Sequence, residues 1–318
     1  MTNDRKLLLL CLGVLAILFA LQFVLSSYLV LALTRILILS VFAMGYNILM
    51  GYTGLLSLGH AMFFAAGLYA SGLASYYWGV PLGWAFLIGI AGSAVVSVII
   101  GLLALRTEAV AFMIVTLMFS QAAFLATLHF SKITGGDQGL TLPTEARSFD
   151  LFGLVLDMTH DGTRFNIAFT VFAVVLLLTY VATRGPFGRQ LVAVRGNPGR
   201  TEMLGFNIYI VKLMAFTLSG TIAGTAGALY GLMFGYIGSS FADFQNSIQP
   251  LLFTLVGGPG TLLGPLLGTA LMTMLIDRLS GLTTAYLIVV GVLLIVMTLW
   301  APKGILGTIR DKWARWLN

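Results

Sequence analysis

The residues that could carry out chemistry are few and scattered along the chain. The three histidines, His60, His129 and His160, have no histidine partner at i+4, and no HExxH sequence is present. No serine lies in a G-x-S-x-G context, and no P-loop sequence for binding ATP phosphates occurs. The sequence therefore predicts no metal, no cofactor and no enzymatic activity on this chain.

Ionisable groups are also scarce. Charged residues make up 9% of the 318 residues, and hydrophobic residues make up 59%. Six ionisable residues fall near the ends of apolar stretches: Arg35, Arg106, Glu108, Asp243, Asp277 and Arg278. We interpret the last two as a solvated pair. Because ion-coupled carriers commonly keep ionisable groups inside the membrane, this scarcity argues against such a carrier but leaves it as an alternative.

The elements that position these residues are apolar segments. A soluble domain has about 25% charged residues, so this composition indicates an integral membrane protein. Ten apolar stretches occur, at about 7–25, 29–50, 57–77, 83–104, 109–130, 165–183, 210–235, 247–257, 263–279 and 284–300. Because the stretches at 247–257 and 263–279 are short, they could together form a re-entrant pair. We predict an all-α polytopic membrane protein, a single transmembrane domain over 1–318 with about 8–10 transmembrane or re-entrant helices.

Loop charges predict the orientation. Residues 184–212 carry five basic side chains against Glu202 alone, and both terminal segments are also basic. The segment 131–164 has the opposite charge balance, because acidic residues outnumber basic ones there. Its five acids are Asp137, Glu145, Asp150, Asp157 and Asp161. By the positive-inside rule, both termini and the loop 184–210 face the cytoplasm, and 131–164 faces outward. The net charge of +6 is thus explained without a nucleic acid partner.

Two glycine-rich clusters interrupt the apolar pattern, at 51–60 and 257–265. Prolines 259 and 265 cannot both lie in one regular helix, so the second cluster predicts a break. Non-helical backbone at membrane depth persists only where protein or a water-filled cavity satisfies it. The candidate residues for lining a translocation path are Gly51, Thr53, Gly54, Ser57, Gly59, His60, Gly257 and Gly258. A simple inner turn is the alternative for the first cluster, whereas Gly220, Gly224 and Gly227 fit ordinary helix packing.

The basic loop 184–210 is long for an inner turn. It predicts two short helices, at about 188–195 and 199–204, with Asn197 as N-cap and Pro198 opening the second. Gly205 suits the end of that helix. The loop is either an ordinary arginine-rich inner loop or a docking element for a cytoplasmic partner.

Blocks spread along the chain resemble one known family. They lie at 45–64, 134–140, 188–205, 257–265 and 300–304, in one order over about residues 40 to 307, which is nearly the whole length of the chain. In these blocks the chain is similar to the M-type permease subunit of the branched-chain amino acid ABC transporter family. The resemblance places seven residues at the contact with an ATPase: Gly188, Arg189, Arg195, Asn197, Pro198, Glu202 and Gly205. One departure is Gly196, where family members often have an acid.

The resemblance also implies partners and a location. It implies a multi-pass protein of the bacterial inner membrane, in contact with membrane lipid and paired with a second homologous permease, most simply as a heterodimer. Two cytoplasmic ATPases would carry ATP and Mg, and a periplasmic binding protein would deliver the solute to the periplasmic loop 131–164.

The implied function is ATP-driven import of amino acids, in particular leucine, isoleucine and valine. The family also includes carriers of urea and short amides, so these stay open as substrates. A membrane-embedded enzyme or scaffold is a further alternative, but it would need a catalytic constellation that the sequence lacks.

Overall fold

Each of the ten apolar stretches contains a helix in the structure. The computed structural model describes residues 3–143, 148–151, 154–158, 160–281, 285–301 and 303–312. The helices are α1 Asn3–Leu21, α2 Ser27–Asn47, α3 His60–Trp78, α4 Leu82–Ala104, α5 Ala109–His129, α6 Ser131–Thr134, α7 Asp161–Arg184, α8 Pro186–Gly196, α9 Pro198–Met203, α10 Ile208–Phe234, α11 Phe244–Gly257, α12 Gly264–Ser280, α13 Tyr286–Trp300 and α14 Gly304–Lys312.

Five helical segments are long and apolar enough to cross a membrane. They are Ser27–Thr53, Leu82–Ala104, Ala109–His129, Asp161–Arg184 and Ile208–Phe234. This confirms the predicted all-α polytopic membrane protein, while the cytoplasmic location of the termini stays a prediction. The helices α11 and α12 have 14 and 17 residues. At about 1.5 Å per residue, neither reaches the roughly 30 Å of a bilayer core, so this pair suits a re-entrant arrangement.

The core forms where α10 packs against α2, α3 and α4, and glycines permit the close approach. A Cβ on Gly224 would collide with Ser93 of α4, and one on Gly227 would collide with the Phe64 carbonyl oxygen of α3. A Cβ on Gly220 would meet the Ser97 hydroxyl. The predicted role of these glycines in helix packing is therefore confirmed.

The segment 131–164 carries short strands. The strand β1, Leu140–Thr141, pairs antiparallel with β4, Tyr236–Ile237, which follows α10. The strands β2, Ser148–Leu151, and β3, Leu154–Asp157, form a hairpin. The first turn of α7 begins at Asp161, so residues 161–164 are helical rather than loop. Glu145 lies outside the described residues.

Candidate functional site

The loop 184–210 forms a helical hairpin of α8 and α9, as the sequence predicts. Asn197 ends α8 and caps α9, because its side-chain oxygen accepts the Arg200 amide N–H at 3.0 Å. Pro198 takes the first position of α9, where a missing N–H removes no helical hydrogen bond. Gly205 follows α9 with a φ of +86°, a conformation that glycine adopts without strain. These local signals fix the hairpin between the spanning helices α7 and α10.

The hairpin presents most of the predicted coupling residues on its surface. Gly188 is buried, because it packs against the Thr183 carbonyl of α7. The other six are exposed: Arg189, Arg195, Asn197, Pro198, Glu202 and Gly205. Two adjacent apolar side chains are exposed as well, Met203 by 89% and Leu204 by 74%. Neighbouring apolar side chains this exposed outside the spanning helices are typical of an interaction surface.

The two glycine-rich breaks lie against each other, and Asn47 joins them. Asn47 ends α2 and precedes a π-helical turn, Ile48–Thr53, that replaces the regular helix. Its side chain is buried; Oδ1 accepts the Gly260 N–H at 2.9 Å and Nδ2 donates to the Thr261 carbonyl at 2.9 Å. One buried amide therefore satisfies two backbone groups of the second break from the end of α2.

Arg195 connects the hairpin to the first break. Its Nη1 donates to the carbonyl oxygen of Gly51. On the other side, Nη1 of Arg310 in α14 donates to the Gly260 carbonyl at 3.5 Å. A cavity of about 660 Å³ lies between these elements, and its basic lining residues are Arg184, Arg189, Arg195, Lys303 and Arg310. A continuous series of contacts thus runs from the hairpin through Gly51 and Asn47 to the second break.

The eight predicted path residues lie mostly within the packed interior. Gly51 is buried and borders the basic cavity, while Gly54 is exposed and packs against Arg195. The other six are buried: Thr53, Ser57, Gly59, His60, Gly257 and Gly258. The structure brings the two clusters together around Asn47, and their part in lining a path stays a prediction.

His60 ties three helices together. Its Nε2 lies 2.8 Å from the Ser219 hydroxyl, which donates to the Gly45 carbonyl at 2.6 Å. Because the hydroxyl proton is engaged there, the imidazole donates through Nε2–H. Its Nδ1 has no hydrogen-bond partner among the described residues, and the Tyr46 ring packs edge-on at 4.6 Å. His60 thus joins α3 to α2 and α10.

A second cavity, of about 170 Å³, lies between α2, α3, α10 and α11. Its polar lining residues are Arg35, Asn246 and Gln249. Arg35 lies eight residues beyond the start of α2, about 12 Å along the helix, and its Nη1 is 3.7 Å from Asp277 Oδ1. The structure therefore corrects the interpretation of Arg35 as a span-end residue, and it adds Arg35 as an ionic partner of the partly exposed Asp277. The sequence feature that could have indicated this cavity is an arginine inside an otherwise apolar span.

Taken together, the spanning helices, the paired backbone breaks and the surface hairpin define a multi-pass membrane permease. The chain belongs to the family described as the permease component of the branched-chain amino acid transport system, whose family model matches residues 28–298. The match extends from α2 into α13. The resemblance seen in the sequence blocks is confirmed, and the chain is a transport component.

Individual relatives agree with this assignment. The high-affinity branched-chain amino acid transport system permease protein LivM of Escherichia coli K12 is 29% identical over 98% of this chain and 77% of its own length. The high-affinity branched-chain amino acid transport system permease protein LivH of the same organism is 25% identical over 83% of this chain and 90% of its own length. The autoinducer 2 import permease LsrC of Klebsiella pneumoniae is 30% identical over 34% of this chain and 33% of its own. No solved structure matches the chain.

Proposed function

We propose that this chain is the membrane-spanning subunit of an ATP-driven importer of amino acids, and that its substrates are leucine, isoleucine and valine. The observation that carries the proposal is the α8–α9 hairpin. It exposes Met203 and Leu204 and is hydrogen-bonded through Arg195 to the first backbone break. A hairpin so built offers a surface to a cytoplasmic partner and a route by which that partner's motion reaches the spanning helices.

The proposed assembly contains a second homologous permease, two cytoplasmic ATPases that carry ATP and Mg, and a periplasmic binding protein. Two relatives of this chain, LivM and LivH of Escherichia coli, are both named as permease proteins of a high-affinity branched-chain amino acid transport system. That pairing supports a heterodimer of related permeases. We place the assembly in the bacterial inner membrane, with the hairpin and both termini in the cytoplasm and 131–164 in the periplasm.

The contacts suggest how ATP binding would move the helices. Closure of the ATPases would displace the hairpin, and Arg195 would carry that displacement to Gly51. Asn47 would pass it on to Gly260 and Thr261, between α11 and α12. Two packings of similar energy are needed for transport, and helix breaks are suitable hinges between rigid elements.

The rival functions differ in their energy source and substrate. An ion-coupled secondary carrier would work without ATPases and would stop when an ionophore collapses the ion gradient. A carrier of urea or short amides would use the same assembly for uncharged solutes. A membrane-embedded enzyme or scaffold would transport nothing.

Uptake in vesicles tests the proposal. We expect the purified complex with its binding protein, reconstituted in proteoliposomes, to accumulate radiolabelled leucine only with ATP and Mg on the ATPase side. Ionophores should leave that uptake unchanged, because no ion gradient drives it. Uptake that needs an ion gradient and ignores ATP would contradict the proposal in favour of a secondary carrier. ATP-driven uptake of urea but not leucine would contradict the substrate.

A further inference from the structure

The 170 Å³ cavity between α2, α3, α10 and α11 combines a cation with an aromatic wall. Four rings form that wall: Phe42 of α2, Phe64 of α3, Tyr230 of α10, and Phe241 just before α11. The Phe42 and Phe64 ring centroids are 5.0 Å apart, and those of Tyr230 and Phe241 are 5.1 Å apart. A charged side chain and an aromatic wall thus border the same cavity, which suits a solute with one charged end and one apolar end.

Arg35 provides the charged side of the cavity. An arginine within an apolar span requires an anionic partner or water, and Asp277 is the partner seen here, at 3.7 Å. The pair is loose, because the Arg35 side chain is 47% exposed and the Asp277 side chain 42%. At 3.7 Å the contact is longer than a charge-assisted hydrogen bond, so the guanidinium keeps N–H donors for the carboxylate of a solute. Its planar fork suits two parallel hydrogen bonds to a carboxylate.

Two residues of α11 provide hydrogen-bond acceptors. Gln249 Nε2 donates to Asn246 Oδ1 at 2.8 Å, and Asn246 Nδ2 donates to the Ser240 carbonyl. One of the two N–H groups of each amide is thus engaged inside the protein, and the Gln249 carbonyl oxygen is an acceptor on a residue that borders the cavity. Pro250 lies within α11 and has no N–H for the main-chain carbonyl of Asn246. Carbonyl oxygens and aromatic ring faces are both favourable partners for an ammonium group.

We propose that this cavity is a binding station for a zwitterionic amino acid with an apolar side chain. Arg35 binds the carboxylate, the acceptors on α11 bind the ammonium group, and the rings contact the apolar side chain. The volume of about 170 Å³ is several times the ~10–15 Å³ of cavity space that one water molecule needs, so a small solute has room there. Arg35 favours a solute with a carboxylate over urea and neutral amides, because only the carboxylate forms charge-assisted hydrogen bonds with the guanidinium. The inference rests on the proposed amino acid transport and assigns a residue set to it.

Site-specific labelling tests the assignment in the whole permease complex. The single native cysteine is first removed by Cys11→Ala, and Leu39→Cys, which lines the cavity, is labelled with a small thiosulfonate reagent. Modification is followed by mass spectrometry with leucine or leucinamide present, two solutes that differ at the carboxylate. Phe241→Cys is a second reporter in case the first does not fold. Both measurements omit the binding protein, so its own selectivity does not enter.

We expect saturating leucine to slow labelling at position 39 by about tenfold, and leucinamide to have no such effect. Arg35→Gln should abolish the protection and Arg35→Lys should restore part of it. Arg278→Gln, next to Asp277, is the matched charge removal and should leave protection intact. Leu73→Cys, in the separate apolar groove against α5, should react at the same rate with or without leucine.

Three results would overturn the assignment: no protection by leucine, equal protection by leucinamide, or full protection in Arg35→Gln. Equal slowing at Leu73→Cys would show a global change and also count against it. ATP-driven leucine uptake is measured on the same preparation. If leucine is taken up with ATP but does not slow labelling, the cavity is not the binding site and the importer proposal still holds. If leucine slows labelling but is not taken up with ATP, the cavity assignment is supported and the importer proposal is wrong.

Discussion

Met203→Asp combined with Leu204→Asp should abolish capture of the ATPase subunits by this chain. The two side chains are 89% and 74% exposed at the end of α9, so the change leaves the packed interior intact. Burying two apolar side chains in an interface contributes about 1.5–3 kcal/mol each, and aspartate adds a desolvation cost. We therefore expect association to weaken by at least ~100-fold. Affinity purification of the tagged chain from solubilised membranes measures the ATPases recovered.

The matched control is Ile133→Asp. Ile133 is 52% exposed and lies in α6, in the segment predicted to be periplasmic. It should leave ATPase recovery unchanged. Exchanging charges at Arg195 and Glu202 is a less clean test, because Arg195 also donates to the Gly51 carbonyl inside the chain. Wild-type recovery of the ATPases with the double aspartate variant would show that α9 is not a docking surface.

Asn47→Leu should uncouple ATP hydrolysis from transport while leaving the ATPases bound. The substitution keeps the number of side-chain heavy atoms and the branch at Cγ but removes both hydrogen bonds that hold Gly260 and Thr261. Each buried backbone group left unpaired costs about 1–3 kcal/mol. Because Asn47 joins the two breaks, we expect uptake to fall by at least ~10-fold. The measurement is leucine transported per ATP hydrolysed in proteoliposomes.

Asn207→Ala is the control for loss of an asparagine hydrogen bond. Asn207 caps α10 by accepting the Ile210 N–H at 3.1 Å, and its loss costs about 1 kcal/mol. It lies outside the contacts between the breaks, so its transport per ATP should stay near wild type. If Asn47→Leu transported as much leucine per ATP as wild type, the bridge between the breaks would have no part in coupling.

Much of the fold follows from local signals in the sequence. Long apolar runs predicted the helices because crossing a bilayer requires about 20 such residues. The α8–α9 boundary was predicted because Asn197 and Pro198 act on the helix that immediately follows them. Glycine spacing on α10 likewise predicted close helix packing, since Gly224 and Gly227 need only a neighbour at short distance.

The contacts that matter for coupling and binding could not be predicted in this way. Asn47 and Thr261 are 214 residues apart in sequence, and no local pattern indicates that they meet. Nor could it be foreseen that Arg35 approaches Asp277 of α12, because that depends on how α2 and α12 pack. The glycine clusters predicted where the helices break. Which side chains border a cavity depends on how distant helices pack, and the sequence alone does not show that packing.

The most direct test of the central claim is purification of this chain from its native membrane in mild detergent, with its companions identified by mass spectrometry. The importer account predicts a second homologous permease and two P-loop ATPases in stoichiometric amounts. Recovery of this chain alone, under conditions that keep a known ATP-driven importer intact, would contradict the account. Ionophore sensitivity of uptake would then be the next measurement, because a secondary carrier would become the better explanation.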